Sequence, residues 1–194
     1  MINSVKKVPY WFSSEHRLSP QQCEDIISAG KALNLASAEV NLNNEKEANQ
    51  IESIRVSRSA FFKPKHPLES LLEPYIQEAN KLWNFSLHGW ECVQFGEYNL
   101  GGFFDWHFDT QLGREANDIR KLSITVNLSN PESYSGGDFE IANTLCHPLK
   151  MPQSELRQQG TIVVFPSFLN HRVTKITSGT RHSLVQWIHG PDFI

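Results

Sequence analysis

The sequence predicts a mainly β fold with packed helices, of the sandwich or double-sheet jelly-roll kind, and three observations carry that expectation. Past residue 85 the chain reads as short runs rich in β-branched and aromatic residues: LHGWECVQFGEY, GFFDWHFD, KLSITVNLS, DFEIA, TIVVFP, HRVTKIT and RHSLVQWIHG. Turn-forming clusters such as SNPESYSGGD and TSGT separate them, the texture of many short strands folded into two sheets. Before residue 85 two stretches instead repeat their apolar residues at the helical period.

The first of these, LSPQQCEDIISAGKAL, opens on Ser19 and Pro20, a capping residue followed by a proline at the first helical position. Cys23, Ile26, Ile27 and Ala29 then fall on one side, and the helix is expected to end near Gly30. EVNLNNEKEANQIES, residues 39–53, is polar and reads as an exposed loop, with a substrate lid as the alternative. HPLESLLEPYIQEANKLWNF returns to helical spacing through Leu68, Leu71, Leu72, Tyr75, Ile76 and Leu82, with a bend or break expected at Pro74. A chain of 194 residues is expected to form one domain, a helical support over about 1–85 and a β core over about 86–190.

Charge narrows the function classes. Eighteen basic and 21 acidic residues give a net charge of −3 without like-charged runs, so neither nucleic acid nor an anionic membrane is an expected partner. The start MINSVKKVPYWFSSEH has no apolar signal region, and a cytoplasmic location is expected. Cys23, Cys92 and Cys146 are odd in number and widely spaced, which predicts plain thiols. No heptad marks an oligomer interface, and oligomeric state is left open.

The chemistry concentrates in GGFFDWHFDT, residues 101–110. On a strand, His107 and Asp109 would point to one face. Alone the pair is weak evidence, since Asp109 would equally serve to orient His107. Downstream, the strand Ile162–Phe165 leads through Pro166 and Ser167 to His171, a candidate third ligand. Two imidazoles and a carboxylate with open positions make the facial triad of non-haem Fe(II) sites, although a zinc hydrolase site would accept the same set. Arg181, ten residues on, and then Ser183 are expected on a neighbouring strand joined by the tight TSGT turn. A guanidinium there would hold a carboxylate bidentately, or else form an ordinary ion pair.

These residues resemble the Fe(II)- and 2-oxoglutarate-dependent dioxygenases, in their prolyl 4-hydroxylase-like branch. The resemblance rests on Tyr98, Gly101, Phe104, His107 and Asp109 in YNLGGFFDWHFD, on Gly136-Gly137 before a strand, and on His171, Gly179, Arg181 and Trp187 in HRVTKITSGTRHSLVQW. It is most specific over residues 94–187. It implies a double-stranded β-helix, a jelly-roll core of the cupin kind, with iron on His107, Asp109 and His171. Arg181 would grip the distal carboxylate of 2-oxoglutarate, assisted by Ser183 and Tyr98. Dioxygen would be the oxidant, with ascorbate a candidate reductant. The implied reaction hydroxylates an unactivated C–H bond, by default on a prolyl residue of a peptide or protein. Alternatives are another amino-acid residue, a small-molecule metabolite or a non-catalytic binding module. Animal and plant prolyl 4-hydroxylases usually carry lysine where this chain has Arg181, which weakens direct transfer of the prolyl substrate.

Phe103, Phe104, Trp106, Phe108 and Trp187 are candidates to wall the site, with core packing the commoner role for aromatics in strands. His16, His66 and His88 are expected at the surface or in packing, and His147 in a loop. His182 is expected to face outward and His189 to lie beyond the last strand. Cys92 is expected as a small core residue on a strand.

Overall fold

A computed structural model describes residues 9–37, 54–110, 118–143 and 147–192. Two helices of the expected kind come first. Helix α1 spans Pro20–Lys31 and begins with a reciprocal capping box, the Gln22 amide donating to Ser19 Oγ and the Ser19 amide donating to Gln22 Oε1. Helix α2 spans Pro67–Trp83, is capped by His66 Nδ1 and ends on Asn84 in the left-handed region. It passes through Pro74 as one continuous element, so the expected break is absent. A third, short helix α3 covers Gln153–Leu156.

The described residues also hold fourteen strands. In chain order these are β1 (Phe12–Ser13), β2 (Ala36–Ser37), β3 (Arg55–Val56), β4 (Arg58–Phe61), β5 (Gly89–Trp90), β6 (Gln94–Tyr98) and β7 (Phe103–His107). There follow β8 (Ile119–Asn127), β9 (Tyr134–Gly136), β10 (Phe139–Ile141), β11 (Ile162–Pro166), β12 (His171–Val173), β13 (Ile176–Gly179) and β14 (Arg181–Gly190). The major sheet runs β1-β11-β8-β14-β6-β4-β2 with β5 also on β14, and the minor sheet runs β10-β12-β7-β3. A further pair, β13 and β9, stands beside them, and every ladder is antiparallel. This is the mainly β, two-sheet jelly-roll core with helices packed outside that the strand texture predicts.

Alternation on the long central strands decides what faces the interior. On β8, Leu122, Ile124 and Val126 join the cluster that contains Cys23, Ile26, Ile27, Leu68, Leu72 and Ile76 of the helices. Ser123 and Thr125 face the opposite way, and Thr125 lines the cavity between the sheets. On β14, Leu184 and Ile188 face the helices, while Arg181, Ser183, Val185 and Trp187 line the cavity. The helix lies so close that a side chain at Gly30 would collide with the ring of Phe95.

Four expectations are corrected. The helical first half also supplies β1 to β4, strands of two to four residues, with β1, β2 and β3 at sheet edges and β4 between β2 and β6. His182 does alternate away from Arg181, but helices cover that face and it is buried against Phe95 and Glu97. His189 lies inside β14, not past it. Cys92 is half-buried in the connection between β5 and β6, off any strand. The 39–53 loop falls outside the described residues, as does Cys146.

Candidate metal centre and co-substrate pocket

Strand β7 carries His107 at its last position and β12 carries His171 at its first, and the two are direct Cα partners across the minor sheet. The next partners are Val173 and Phe104, so β7 contains one more residue than β12 over this interval. That bulge breaks the period of two and brings Phe104 and His107 to the same cavity, their rings stacked at 3.4 Å between centroids. Asp109 is therefore not on the strand. It lies just beyond it, held by its amide, which donates to the Ser167 carbonyl at 3.0 Å.

Each side chain is oriented by a group behind it. Nδ1 of His107 donates to the Asp105 carbonyl at 2.7 Å, and Nδ1 of His171 donates to the Leu169 carbonyl at 3.0 Å. With the Nδ1 protons committed, both Nε2 atoms are left to accept. They face the Asp109 carboxylate, His107 at 3.7 Å from Oδ1 and His171 at 3.4 Å from Oδ2. Ser123 Oγ donates to Asp109 Oδ2 at 2.7 Å and meets Ser167 Oγ at 2.9 Å.

The electrostatics fit a metal. Burial alone would raise the Asp109 carboxyl, but His171, His107 and the Ser123 hydroxyl outweigh it and hold the group below its ordinary value. Burial, followed by the charge of His171, pushes His107 down to about 3. An ionised carboxylate and an imidazole with a free lone pair are the states a metal requires. The three ligand atoms lie within 4.8 Å of one another. Bonds of about 2.1 Å from one ion would bring them roughly 3 Å apart, a contraction of side chains without a change of fold.

Arg181 and Ser183 are at the other side of the same cavity, a space of about 460 Å³ including its open mouth. They are not on a strand joined to that of His171 by a tight turn, as expected. His171 belongs to the minor sheet and Arg181 to the major one, with β13 between them in the chain, so the two face each other across the barrel. Arg181 is only 4% exposed, and no hydrogen bond or ion pair engages its guanidinium among the described residues. Its nearest ring is Tyr98, 5.7 Å from the guanidinium carbon and its register partner on β6. A buried, unpaired guanidinium is costly, and a carboxylate ligand removes that cost. Gly137, at φ +69°, makes room: an added Cβ would come within 2.5 Å of Ile176 Cδ1 and 3.0 Å of Arg181 Cδ.

The cavity thus gathers His107, Asp109, His171, Arg181, Tyr98 and Ser183. Of the aromatic wall candidates, Phe104 and Trp187 line it, while Phe103, Trp106 and Phe108 do not; Phe139 and Phe165 do and went unrecognised. Ser123, Ser167 and Arg55 were also missed. Arg55 stands 4.6 Å over the Phe104 ring and donates to Ser57 and Gln94. His16 is exposed, His66 caps α2, and His88 pairs with Asp118. His147 is exposed in its loop and does not line the cavity.

Comparison with known proteins gives the family. Residues 93–189 match the family described as the 2OG-Fe(II) oxygenase superfamily. A PKHD-type hydroxylase of Crocosphaera subtropica is 31% identical over 128 residues, 63% of this chain and 54% of that protein. One from Pseudomonas paraeruginosa is 30% identical over 151 residues, 70% of this chain and 62% of the relative. The chain therefore spans less than two thirds of these relatives. Among solved structures, a Pseudomonas putida prolyl-4-hydroxylase superposes with a TM-score of 0.68 at 20% identity, covering 94% of both chains. A viral collagen prolyl hydroxylase from Paramecium Bursaria Chlorella virus-1 gives 0.65 at 20% identity, covering 94% of this chain and 97% of that one. At these identities the structural likeness speaks for the fold.

Proposed function

The chain belongs to the 2OG-Fe(II) oxygenase superfamily, and from that premise we propose that it hydroxylates an unactivated C–H bond, on a prolyl residue of a peptide or protein. The observation that carries the co-substrate is Arg181, buried with no hydrogen-bond or ion-pair partner among the described residues in the cavity that holds His107, Asp109 and His171. Hydroxylation is supported by the likeness to PKHD-type hydroxylases, and the prolyl residue is the default because solved prolyl hydroxylases share the fold. We take the whole span, helices included, as one catalytic unit.

In this reading His107, Asp109 and His171 hold Fe(II), which when bound supplies the dioxygen and one-electron chemistry. One substrate C–H becomes C–OH while 2-oxoglutarate is oxidised to succinate and CO2, succinate and product each taking one atom of dioxygen. The remaining tasks fall to the protein. Arg181 pairs with the distal carboxylate of 2-oxoglutarate, and the hydroxyls of Tyr98 and Ser183 are placed to add hydrogen bonds. Phe104, Phe139, Phe165 and Trp187 keep the cavity apolar and dry around the reacting groups. The open mouth admits the target carbon, and its orientation there is the main demand on the protein.

The test is succinate formation from 2-oxoglutarate under air with Fe(II), with and without proline-containing peptides, read alongside a mass gain of one oxygen on the peptide. Turnover stimulated by such a peptide supports the proposal. Turnover that no proline-containing peptide stimulates contradicts the substrate, and no turnover contradicts the enzyme.

A further inference from the structure

Arg120, on β8, does not line the cavity, yet it is joined to three parts of the candidate site. Its Nη1 donates to the Asp109 carbonyl over 3.4 Å, and its own carbonyl accepts from the Thr110 hydroxyl at 2.9 Å. Its guanidinium carbon stands 3.9 Å from the centre of the Trp187 ring. Trp187 in turn lines the same cavity as Asp109, and its buried indole N–H has no hydrogen-bond partner among the described residues.

The guanidinium is fixed from behind. Nε and Nη2 donate to the two oxygens of Glu91 at 2.5 and 2.8 Å. Glu91 also meets Nε2 of His189 at 2.8 Å, and Nδ1 of His189 meets Asp118 at 2.7 Å. Burial works to raise the Glu91 carboxyl, but Arg120 and His189 overcome it and leave the group below its ordinary value, hence ionised.

We propose that Arg120, braced by Glu91 and His189, is a positioning residue for Asp109 and for Trp187 beside it. This rests on the reading of His107, Asp109 and His171 as metal ligands. Asp109 sits past the end of β7, where no ladder fixes the backbone and its ordering must come from other contacts. Ser167 grips the Asp109–Thr110 turn through both amides, and Arg120 grips it through the Asp109 carbonyl and the Thr110 hydroxyl. A planar fork can chelate Glu91 and lay its face on an indole at once, which an ammonium cannot do.

The comparison residue is Arg157. It pairs with Asp138 at 2.8 Å, donates to the Tyr134 carbonyl and lies 4.4 Å over the Tyr134 ring, but contacts no candidate metal ligand. Anaerobic calorimetric titration with Fe(II), and separately with Mn(II), would be run on the wild type, Arg120→Lys, Glu91→Gln and Arg157→Lys, each first shown to be folded by circular dichroism and melting. Metal affinity is expected to fall tenfold or more in Arg120→Lys and Glu91→Gln and to stay at the wild-type value in Arg157→Lys. Should Arg120→Lys not fold, Glu91→Gln decides. Unchanged affinity in the Arg120 and Glu91 variants overturns the positioning role, and so does equal weakening in Arg157→Lys. A wild type that binds neither metal instead overturns the ligand assignment beneath it.

Discussion

His107 and His171 are register partners across the minor sheet, with ring centroids 4.1 Å apart and both Nε2 atoms facing one carboxylate. Backbone pairing thus sets the spacing of two candidate ligands that the sequence separates widely. His107→Ala, Asp109→Ala and His171→Ala are each expected to abolish Fe(II)-dependent succinate formation while leaving the far-ultraviolet spectrum intact. Wild-type turnover in any of the three removes that residue from the centre.

Burial of His107, and after it the charge of His171, is expected to make the metal-free fold sensitive to acid. His107 is pushed down to about 3 in the native state, whereas the unfolded chain takes up this proton near pH 6.5. Below about 6.5 the unfolded state therefore binds more protons, and stability falls as the pH drops toward 3. Asp109 adds to the loss at the lower end, because its depressed carboxyl stabilises the fold above about pH 3.8 and that contribution disappears as the pH falls through the native value. Urea midpoints in chelator from pH 7.5 to 4 should decline for the wild type and less steeply for His107→Leu. Parallel slopes would contradict the account.

Arg181→Met separates ligand binding from stability. Methionine fills similar space without an unpaired buried charge, so the ligand-free protein is expected to melt at the same temperature or higher. Losing the bidentate pair should weaken 2-oxoglutarate by about 1.5–3 kcal/mol, roughly 10- to 150-fold. A thermal shift on adding 2-oxoglutarate equal to that of the wild type would take Arg181 out of the co-substrate site.

Gly137→Ala probes the same arginine from outside. At φ +69° a side chain is strained, and the new methyl would press on Ile176 Cδ1 and Arg181 Cδ. A stability loss of about 1–3 kcal/mol is expected, with weaker 2-oxoglutarate binding in the protein that remains folded. Unchanged affinity would show that Arg181 tolerates displacement.

Ser123→Ala removes the hydroxyl that donates to Asp109 Oδ2. Metal affinity is expected to fall about tenfold, with little change in 2-oxoglutarate affinity at saturating metal. Equal loss of both would point to a collapsed cavity.

Much of this arrangement was legible in the chain, for identifiable reasons. Ser19-Pro20 and the spacing of Ile26 and Ile27 mark α1 because capping and helical period are local. β11 and β14 read as strands because β-branched and aromatic residues fill them. His107, Asp109, His171 and Arg181 stand out as chemically costly groups among apolar neighbours. What stayed hidden depends on contacts distant in sequence. The bulge that puts Phe104 beside His107, the Ser167 carbonyl under Asp109 and the Ser123 hydroxyl leave no local pattern. His182 was misplaced because alternation reports which side a residue faces, not whether a helix covers that side. Residues 55–61 hold β3 and β4 with only Val56 and Phe61 as β-branched or aromatic apolar residues, too little for a local strand signal.

One cavity is proposed to hold Fe(II) on His107, Asp109 and His171 and 2-oxoglutarate on Arg181. The most direct test is an anaerobic titration of the metal-free protein with Fe(II) and then 2-oxoglutarate, followed by visible absorption. The account predicts a weak charge-transfer band that forms only when both are present, is lost in Asp109→Ala, and decays on admitting oxygen as succinate appears. Iron binding without that band would contradict the co-substrate assignment, and a band retained in Asp109→Ala would contradict the metal site itself.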